Sequence, residues 1–398
     1  MLARVSSAPV SLDLSDCEPD AAPSTADARA KAKQLDGPIR VDLMRHLRAA
    51  LDGGKTFGAL AREILALGRG PGKLSPHEYF YYGLYGSPLP LEEKLRFVGK
   101  TAQQRFHEAC NAPEWFAVVH DKLLFQAAMA GAGLPVPRLL AIQHRSRAWP
   151  DLPRLATPAD IARFVRTTTA FPFFVKPIDG MYSLGSMLVE GCDEAAAALR
   201  LRFGGTLAID RFAEQLVAHE AGHVLQARLV PHPAIAGLVG DRLPSVRALV
   251  LSGEDGPAIL RAVCKLPGGR NIADNYWRPG NMLAAIATDT GEIRRVVRGT
   301  GADLAELERH PDTGERLLGR TLPLWRETKA LIEAAARTLP GVRTQAWDVA
   351  LAEEGPVLLE VNYGGDLNLA QLAIGRGVLE PAYAAHLRRC GYEKKLPA

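Results

Sequence analysis

The chain has 398 residues, 47% hydrophobic and 23% charged, which excludes a disordered or fibrous protein. Its 48 Lys and Arg against 44 Asp and Glu leave a net charge of +4. That excess is too thinly spread for a dedicated nucleic-acid binder, whose phosphate contacts need concentrated cation. No apolar run reaches the about 18 residues of a membrane helix, and the N-terminus lacks the basic start and apolar stretch of a secretory signal. Five scattered cysteines, Cys17, Cys110, Cys192, Cys264 and Cys390, form no CxxC. They fit the reduced thiols of a cytoplasmic protein, not a disulfide framework. The length predicts two or three domains at about 150 residues each.

Residues 1–38 are rich in Ala, Ser, Asp and Pro without an apolar period, which predicts a mobile tail. Residues 39–115 read as helical. Leu43, Leu47, Ala50 and Leu51 share one face, and Phe57, Leu60, Ala61, Ile64 and Leu65 another. The cluster Tyr79, Phe80, Tyr81, Tyr82 and Tyr85 reads as core or interface. Residues 116–398 alternate strands and helices without a strict βαβ repeat, so the class is α+β (α/β). A helix follows Asp121 to near Gly131. Thr157, Pro158 and Asp160 give the cap, first-turn proline and acidic first turn of a helix to about Thr169. Phe173, Phe174 and Val175 form an apolar strand. Two hairpins pair Ser245–Leu251 with Ile259–Lys265 and Met282–Ala287 with Ile293–Val297, and a helix over about Leu324–Leu339 precedes a last hairpin.

That last hairpin turns at Glu353-Glu354-Gly355. Centred on Glu354, it sets Leu351 against Val357, Val349 against Leu359 and Trp347 against Val361, an apolar face that must be buried. The other face sets Asp348 opposite Glu360, with Asn362 two residues on. Carboxylates about 5 Å apart at Cβ repel unless they share a proton or a cation. With an amide oxygen added, the set suits Mg²⁺; the competing reading is a solvated polar face. Elsewhere, Lys176 ends the strand Phe173–Val175 and is followed by the Gly/Ser loop 179–186. Glycines let backbone N–H groups approach phosphate oxygens, and a strand-end lysine supplies a point charge.

Together these residues resemble the ATP-grasp superfamily. The resemblance implies ATP and Mg²⁺ (or Mn²⁺) as cofactors, with Lys122 and Lys176 as nucleotide lysines. It implies a lid at 179–186 containing Gly180, Ser183 and Gly185, and a hinge at Gln226, Ala227 and Leu229 whose backbone reads adenine. It makes Asp348, Glu360 and Asn362 the metal ligands. Leu243–Arg247 following Pro231-His232-Pro233, then Ala273–Trp277 with Asn275, Thr290-Gly291 and Ala346–Ala350, resemble more narrowly the sugar-transfer-associated ATP-grasp family. The implied fold is two α+β lobes with antiparallel sheets, 116–225 and 226–398, behind the helical region. The implied activity is that of an ADP-forming ligase. It would activate a small-molecule carboxylate as an acyl phosphate and pass it to an amine or sugar-linked nucleophile in cell-surface polysaccharide biosynthesis. Two departures stand out. The hinge reads Gln226-Ala227-Arg228 where many relatives carry Gln-Glu, leaving Glu220 as the candidate ribose acid. Arg278-Pro279-Gly280 stands where relatives tend to have paired glycines.

Arg247, Arg261 and Lys265 are candidate cations for a transferring phosphoryl group. A simple register about Gly253–Gly256 puts Arg261 and Lys265 on one face and Arg247 on the other; a bulge or a one-residue slip would reverse that. His219-Glu220-Ala221-Gly222-His223 matches the HExxH zinc-hydrolase pattern, which needs a helix continuing through both histidines. Gly222 and the apolar run after it favour a strand instead. Gly53-Gly54-Lys55-Thr56 resembles the end of a P-loop but follows a helical segment, so it reads as a helix C-cap and a new helix start. Cys110 and Cys264 read as small buried hydrophobes. A zinc-dependent hydrolase and a non-catalytic nucleotide-binding partner protein are the alternatives to the ligase.

Overall fold

The computed structural model describes residues 31, 35, 37–363 and 365–396. The expected mobile tail over 1–38 lies almost wholly outside the described residues. Helices α1 (Leu43–Asp52), α2 (Phe57–Arg69), α3 (Pro76–Tyr81), α4 (Leu91–Lys94) and α5 (Lys100–Cys110) come first, then α6 (Phe116–His120) and α7 (Lys122–Gly131). Their starts follow local capping chemistry. Asp42, Thr56 and Asp121 accept first-turn N–H groups, and Ser75 with Glu78 forms a capping box. The apolar face expected on α2 is narrower than its sequence suggests. Leu60 and Leu67 are buried, whereas Phe57 is 69% and Leu65 55% exposed, because the helix packs along one stripe only.

The middle of the chain builds a sheet from β1 (Leu139–Gln143), β2 (Arg154–Leu155), β3 (Phe173–Pro177), β4 (Met187–Asp193), β5 (Ala198–Leu201), β6 (Thr206–Ala208) and β7 (His223–Ala227). Its order is β2-β1-β7-β3-β4-β5-β6. Only β1 and β2 pair in parallel; the remaining neighbours are antiparallel. Helices α8 (Pro158–Thr167) and α9 (Ile209–Ala218) cover it, burying Ile161, Val165, Phe212 and Leu216 against Phe173, Val175 and Leu225. Helix α10 (Pro233–Val239) leads to the second sheet.

The second sheet comprises β8 (Ser245–Gly253), β9 (Gly256–Leu266), β10 (Met282–Ile286), β11 (Ile293–Arg298), β12 (Ala305–Glu306), β13 (Thr344–Ala352) and β14 (Gly355–Tyr363). Its order is β12-β11-β10-β9-β8-β13-β14, antiparallel throughout. Helix α11 (Trp325–Arg337) and α7 pack on one face, where Phe125, Met129 and Ile332 meet Trp347. The other face is covered by the first helices together with α12 (Leu367–Ile374) and α13 (Pro381–Arg389). There Tyr79, Phe97, Phe106, Leu372 and Tyr383 share one core with Leu249 and Val263. The leading helices therefore complete the hydrophobic layer of this sheet. Among the described residues no helix is long and apolar enough to cross a membrane.

Two bulges change the expected registers. In β13–β14 the pairs Trp347–Val361 and Asp348–Glu360 hold, but beyond them Val349 pairs with Leu358 and Leu351 with Pro356. The extra residue, Leu359, is turned out of the buried face. In β8–β9 a bulge between Leu249 and Val250 sets Arg247 opposite Val263, Ser245 opposite Lys265 and Leu249 opposite Arg261. Arg247 thus shares a face with Lys265 and Arg261 and does not point away, because one extra residue inverts the alternation.

Candidate functional site

A cleft of about 1170 Å³, open to solvent, lies between the two sheets. Phe174 and Lys176 on β3 and Gln226 on β7 line one wall; Lys265 on β9, Asp348 on β13 and Leu359 and Glu360 on β14 line the other. The β14 bulge is what turns Leu359 into this space.

Asp348 is the electrostatic centre of the second wall. It is 2% exposed and accepts from Arg247 Nε at 2.8 Å, Arg247 Nη2 at 2.6 Å and Lys265 Nζ at 3.0 Å. Burial alone would raise its pKa, but the two cations outweigh that and hold it well below the usual carboxylate range. Lys265 also lies 3.4 Å from Asp274, and Asp274 accepts from the Ser245 hydroxyl. Burial opposes the Lys265 charge, yet Asp274 and Asp348 together push its pKa up. The Asp348–Glu360 repulsion expected from the sequence is met by Arg247, which reaches Glu360 Oε1 at 3.8 Å. Arg261, four residues from Lys265, pairs with Glu380 at 2.5 Å and lines a smaller cavity beside Arg247, away from the main cleft.

On the facing wall α7 and β3 bring two lysines together. Lys122 donates to the Gly180 carbonyl oxygen. Desolvation in the cleft, then the neighbouring Lys122 charge, pushes Lys176 down to about 8, partly offset by Glu360. Desolvation also lowers Lys122, against the pull of Glu360 and Asp179. The 179–186 loop closes over them. Tyr182 and Ser183 hold φ of 58° and 54°, a left-handed conformation that costs non-glycine residues about 1 kcal/mol each. Hydrogen bonds from the loop between β9 and β10 offset that cost. Asn275 Nδ2 donates to Ser183 Oγ at 2.6 Å, and Trp277 Nε1 to the Tyr182 carbonyl oxygen at 3.1 Å. Gly180 and Ser183 line the cleft; Gly185, at φ 72°, packs on Pro177 instead.

The sequence pattern of the family described as sugar-transfer associated ATP-grasp matches residues 101–385. The chain belongs to this family. Among solved structures it is similar to an L-amino acid ligase from Bacillus licheniformis at 13% identity, covering 65% of this chain and 43% of that one, with a TM-score of 0.36. It is similar to a biotin carboxylase from Campylobacter jejuni at 10% identity (73% of this chain, 50% of that, TM-score 0.43). The VanG D-Ala:D-Ser ligase from Enterococcus faecalis is similar at 14% identity (71% and 64%, TM-score 0.41). The chain spans less than two thirds of the length of each. No curated protein matches it.

In this ATP-grasp chain the hinge positions diverge. Gln226 and Leu229 line the cleft, whereas Ala227 donates its N–H to the Arg138 carbonyl oxygen at 2.9 Å. Glu220 is exposed on a turn and does not line the cleft. The acid beside the hinge is Asp241, which accepts from Arg228 and, at 2.9 Å, from Arg202. Sequence reading missed this carboxylate, and no local pattern marks it, since it sits in an aperiodic loop. Arg202 and Arg270 flank the Phe203 ring at 5.3 and 5.8 Å; neither carried a motif.

The HExxH segment does not form the zinc-hydrolase geometry. Helix α9 ends at Ala218, and His223 opens β7. Gly222 has φ 74°, and a Cβ there would lie 2.2 Å from the Gln143 carbonyl oxygen, so only glycine fits the turn. His219 Nε2 meets Asp179 Oδ1 at 2.7 Å, tying the turn to the base of the lid. His223 bonds Gln143 at 2.9 Å, and burial first, then His219, pushes its pKa down to about 3.

The carboxylate and amide oxygens of this wall leave room for a hard cation. An ionised carboxylate offers about four lone-pair sites; Arg247 and Lys265 take three of those on Asp348. Glu360, at 37% side-chain exposure, reaches Arg247 only at 3.8 Å and lies beside Asp348. Asn362 lies two residues along β14, and its amide oxygen is the atom that would meet a cation; its amide nitrogen, a donor, is buried without a partner. Glu360 and Asn362, with one remaining position on Asp348, fit Mg²⁺ or Mn²⁺.

Proposed function

We propose that this chain is an ATP-dependent, ADP-forming ligase that activates a carboxylate as an acyl phosphate and passes it to an amine or sugar-linked nucleophile. The observation that carries this reading is the cleft itself, where Lys122 and Lys176 face Asp348 and Glu360 across two sheets. The nucleotide base would lie at Gln226–Leu229, with Asp241 near the ribose and the phosphates toward Lys122 and Lys176. Glu360, Asn362 and Asp348 would hold Mg²⁺ or Mn²⁺, which when bound neutralises β- and γ-phosphate charge. The two lysines fix the phosphates, and Lys265 and Arg247 supply positive charge to the oxygens of the transferring phosphoryl. The lid, held by Asn275 and Trp277, keeps water from an acyl phosphate it would hydrolyse. The family's sugar-transfer association supports a role in cell-surface polysaccharide biosynthesis, and the scattered cysteines without a CxxC support a cytoplasmic location.

The test is product analysis with Mg-ATP and a panel of carboxylates. ADP and phosphate should appear only with a carboxylate present, and hydroxylamine should trap a hydroxamate in place of the natural nucleophile. AMP and pyrophosphate as products would overturn the mechanism. ATP binding without ADP release under any substrate mixture would favour a non-catalytic binding protein.

A further inference from the structure

Behind the sheet, away from the cleft, the chain gathers two thiols and an imidazole. Cys110 ends α5, while His386 and Cys390 lie one helical turn apart at the end of α13. Cys110 is 3% and His386 0% exposed, and Cys390 is half-buried. Their ligand atoms all lie within 4.8 Å of one another, with Cys390 Sγ 3.5 Å from His386 Nε2. The placement is fixed from outside the cluster. Asn111 donates to the Thr344 carbonyl oxygen at 3.1 Å and accepts from its N–H at 2.9 Å, lacing the end of α5 to β13.

We propose that Cys110, His386 and Cys390 form a structural zinc site that ties the leading helices to the C-terminal helix. This inference goes beyond the ligase reading and does not depend on it. Zn–S bonds of about 2.3 Å and Zn–N bonds of about 2.0–2.1 Å give tetrahedral edges of about 3.5–3.8 Å. The Sγ–Nε2 separation already equals such an edge, and the remaining pairs need to close by at most about 1 Å. The donor set is the borderline-soft mixture of sulfur and imidazole that zinc prefers. A disulfide would use only the two sulfurs and give the imidazole no role.

Two further observations fit a ligand here. The Tyr383 hydroxyl, three residues before His386 on the same helix and wholly buried, lies beside Thr344 and both thiols, so the surroundings of the cluster are closed to solvent. Zinc at His386 Nε2 would replace the 3.1 Å contact that this nitrogen makes with Thr344 Oγ1, and the buried Nδ1 has no hydrogen-bond partner. Binding releases both thiol protons, since the thiolates are the ligands.

The test uses the full chain, purified reduced and without chelator, with Zn²⁺ and Co²⁺ as probes. Elemental analysis should find about one zinc per chain. Co²⁺ reconstitution should give a near-ultraviolet sulfur-to-cobalt charge-transfer band with strong visible d–d bands. Cys390→Ser, at the half-buried position, should lose the charge-transfer intensity in part and weaken zinc binding at least about tenfold against a chromophoric chelator. His219→Asn should leave both unchanged. Wild-type protein that takes up no zinc after anaerobic reconstitution would overturn the proposal without any variant being needed. Recovery of Cys110 and Cys390 as a disulfide in metal-free protein, or unaltered zinc affinity in Cys390→Ser, would overturn it equally.

Discussion

Replacing Asp348 with Asn should destabilise this protein far more than any other change in the cleft. The side chain keeps its shape, but the charge that holds Arg247 and Lys265 disappears. Those cations are 15% and 4% exposed, and three charge-assisted bonds converge on a carboxylate that is itself 2% exposed. Removing one partner of a buried ion pair costs about 3–5 kcal/mol, because the other charge stays desolvated. Lys265 keeps Asp274 at 3.4 Å, so most of the penalty falls on Arg247. Urea unfolding followed by circular dichroism should show the loss as a lower midpoint with an unchanged slope. Adding Arg247→Met should restore part of it, since the stranded cation is then gone. The pH dependence has a definite sign. Asp348 has a depressed folded-state pKa, so its contribution is complete above the unfolded value of about 3.9 and is lost as pH falls through the folded one. The gap between wild type and variant should therefore shrink in acid. A variant within about 1 kcal/mol of wild type at neutral pH, or a gap that widens in acid, would refute the electrostatic account.

Glu360→Gln should behave oppositely: with its side chain 37% exposed and its contact to Arg247 as long as 3.8 Å, it should change stability by less than about 1 kcal/mol yet abolish Mg²⁺-dependent turnover, and a fully active variant would remove Glu360 from the metal set. Lys176→Ala should weaken ATP binding about 10- to 100-fold by calorimetric titration, the worth of one charged hydrogen bond to phosphate. Because Lys176 is pushed down to about 8, ATP affinity of the wild type should fall as pH rises past that value, where the ammonium loses its proton, and this limb should vanish in Lys176→Ala.

Much of the architecture was legible locally. Thr56, Asp121 and Thr157 mark helix starts already legible in the sequence, because a cap is chemistry within four residues. The facing of Asp348 and Glu360 was read from alternation about Glu354, and it holds because the bulge at Leu359, between that pair and the Ala352–Gly355 turn, offsets the turn's one-residue shift. Lys176 beside its glycine loop was equally visible, since both features lie in one short stretch. Tertiary structure alone decided the rest. Neither bulge has a sequence signal, yet the one in β9 at Leu260 brings Lys265 onto the face where Arg247 already lies opposite Asp348, and so sets two cations on that buried carboxylate. The union of the first helices with the far face of the second sheet, and of Cys110 with His386 and Cys390, joins segments more than 100 residues apart. Hydrophobic burial is non-directional, so composition shows that these faces must be covered, while only packing of the whole chain selects what covers them.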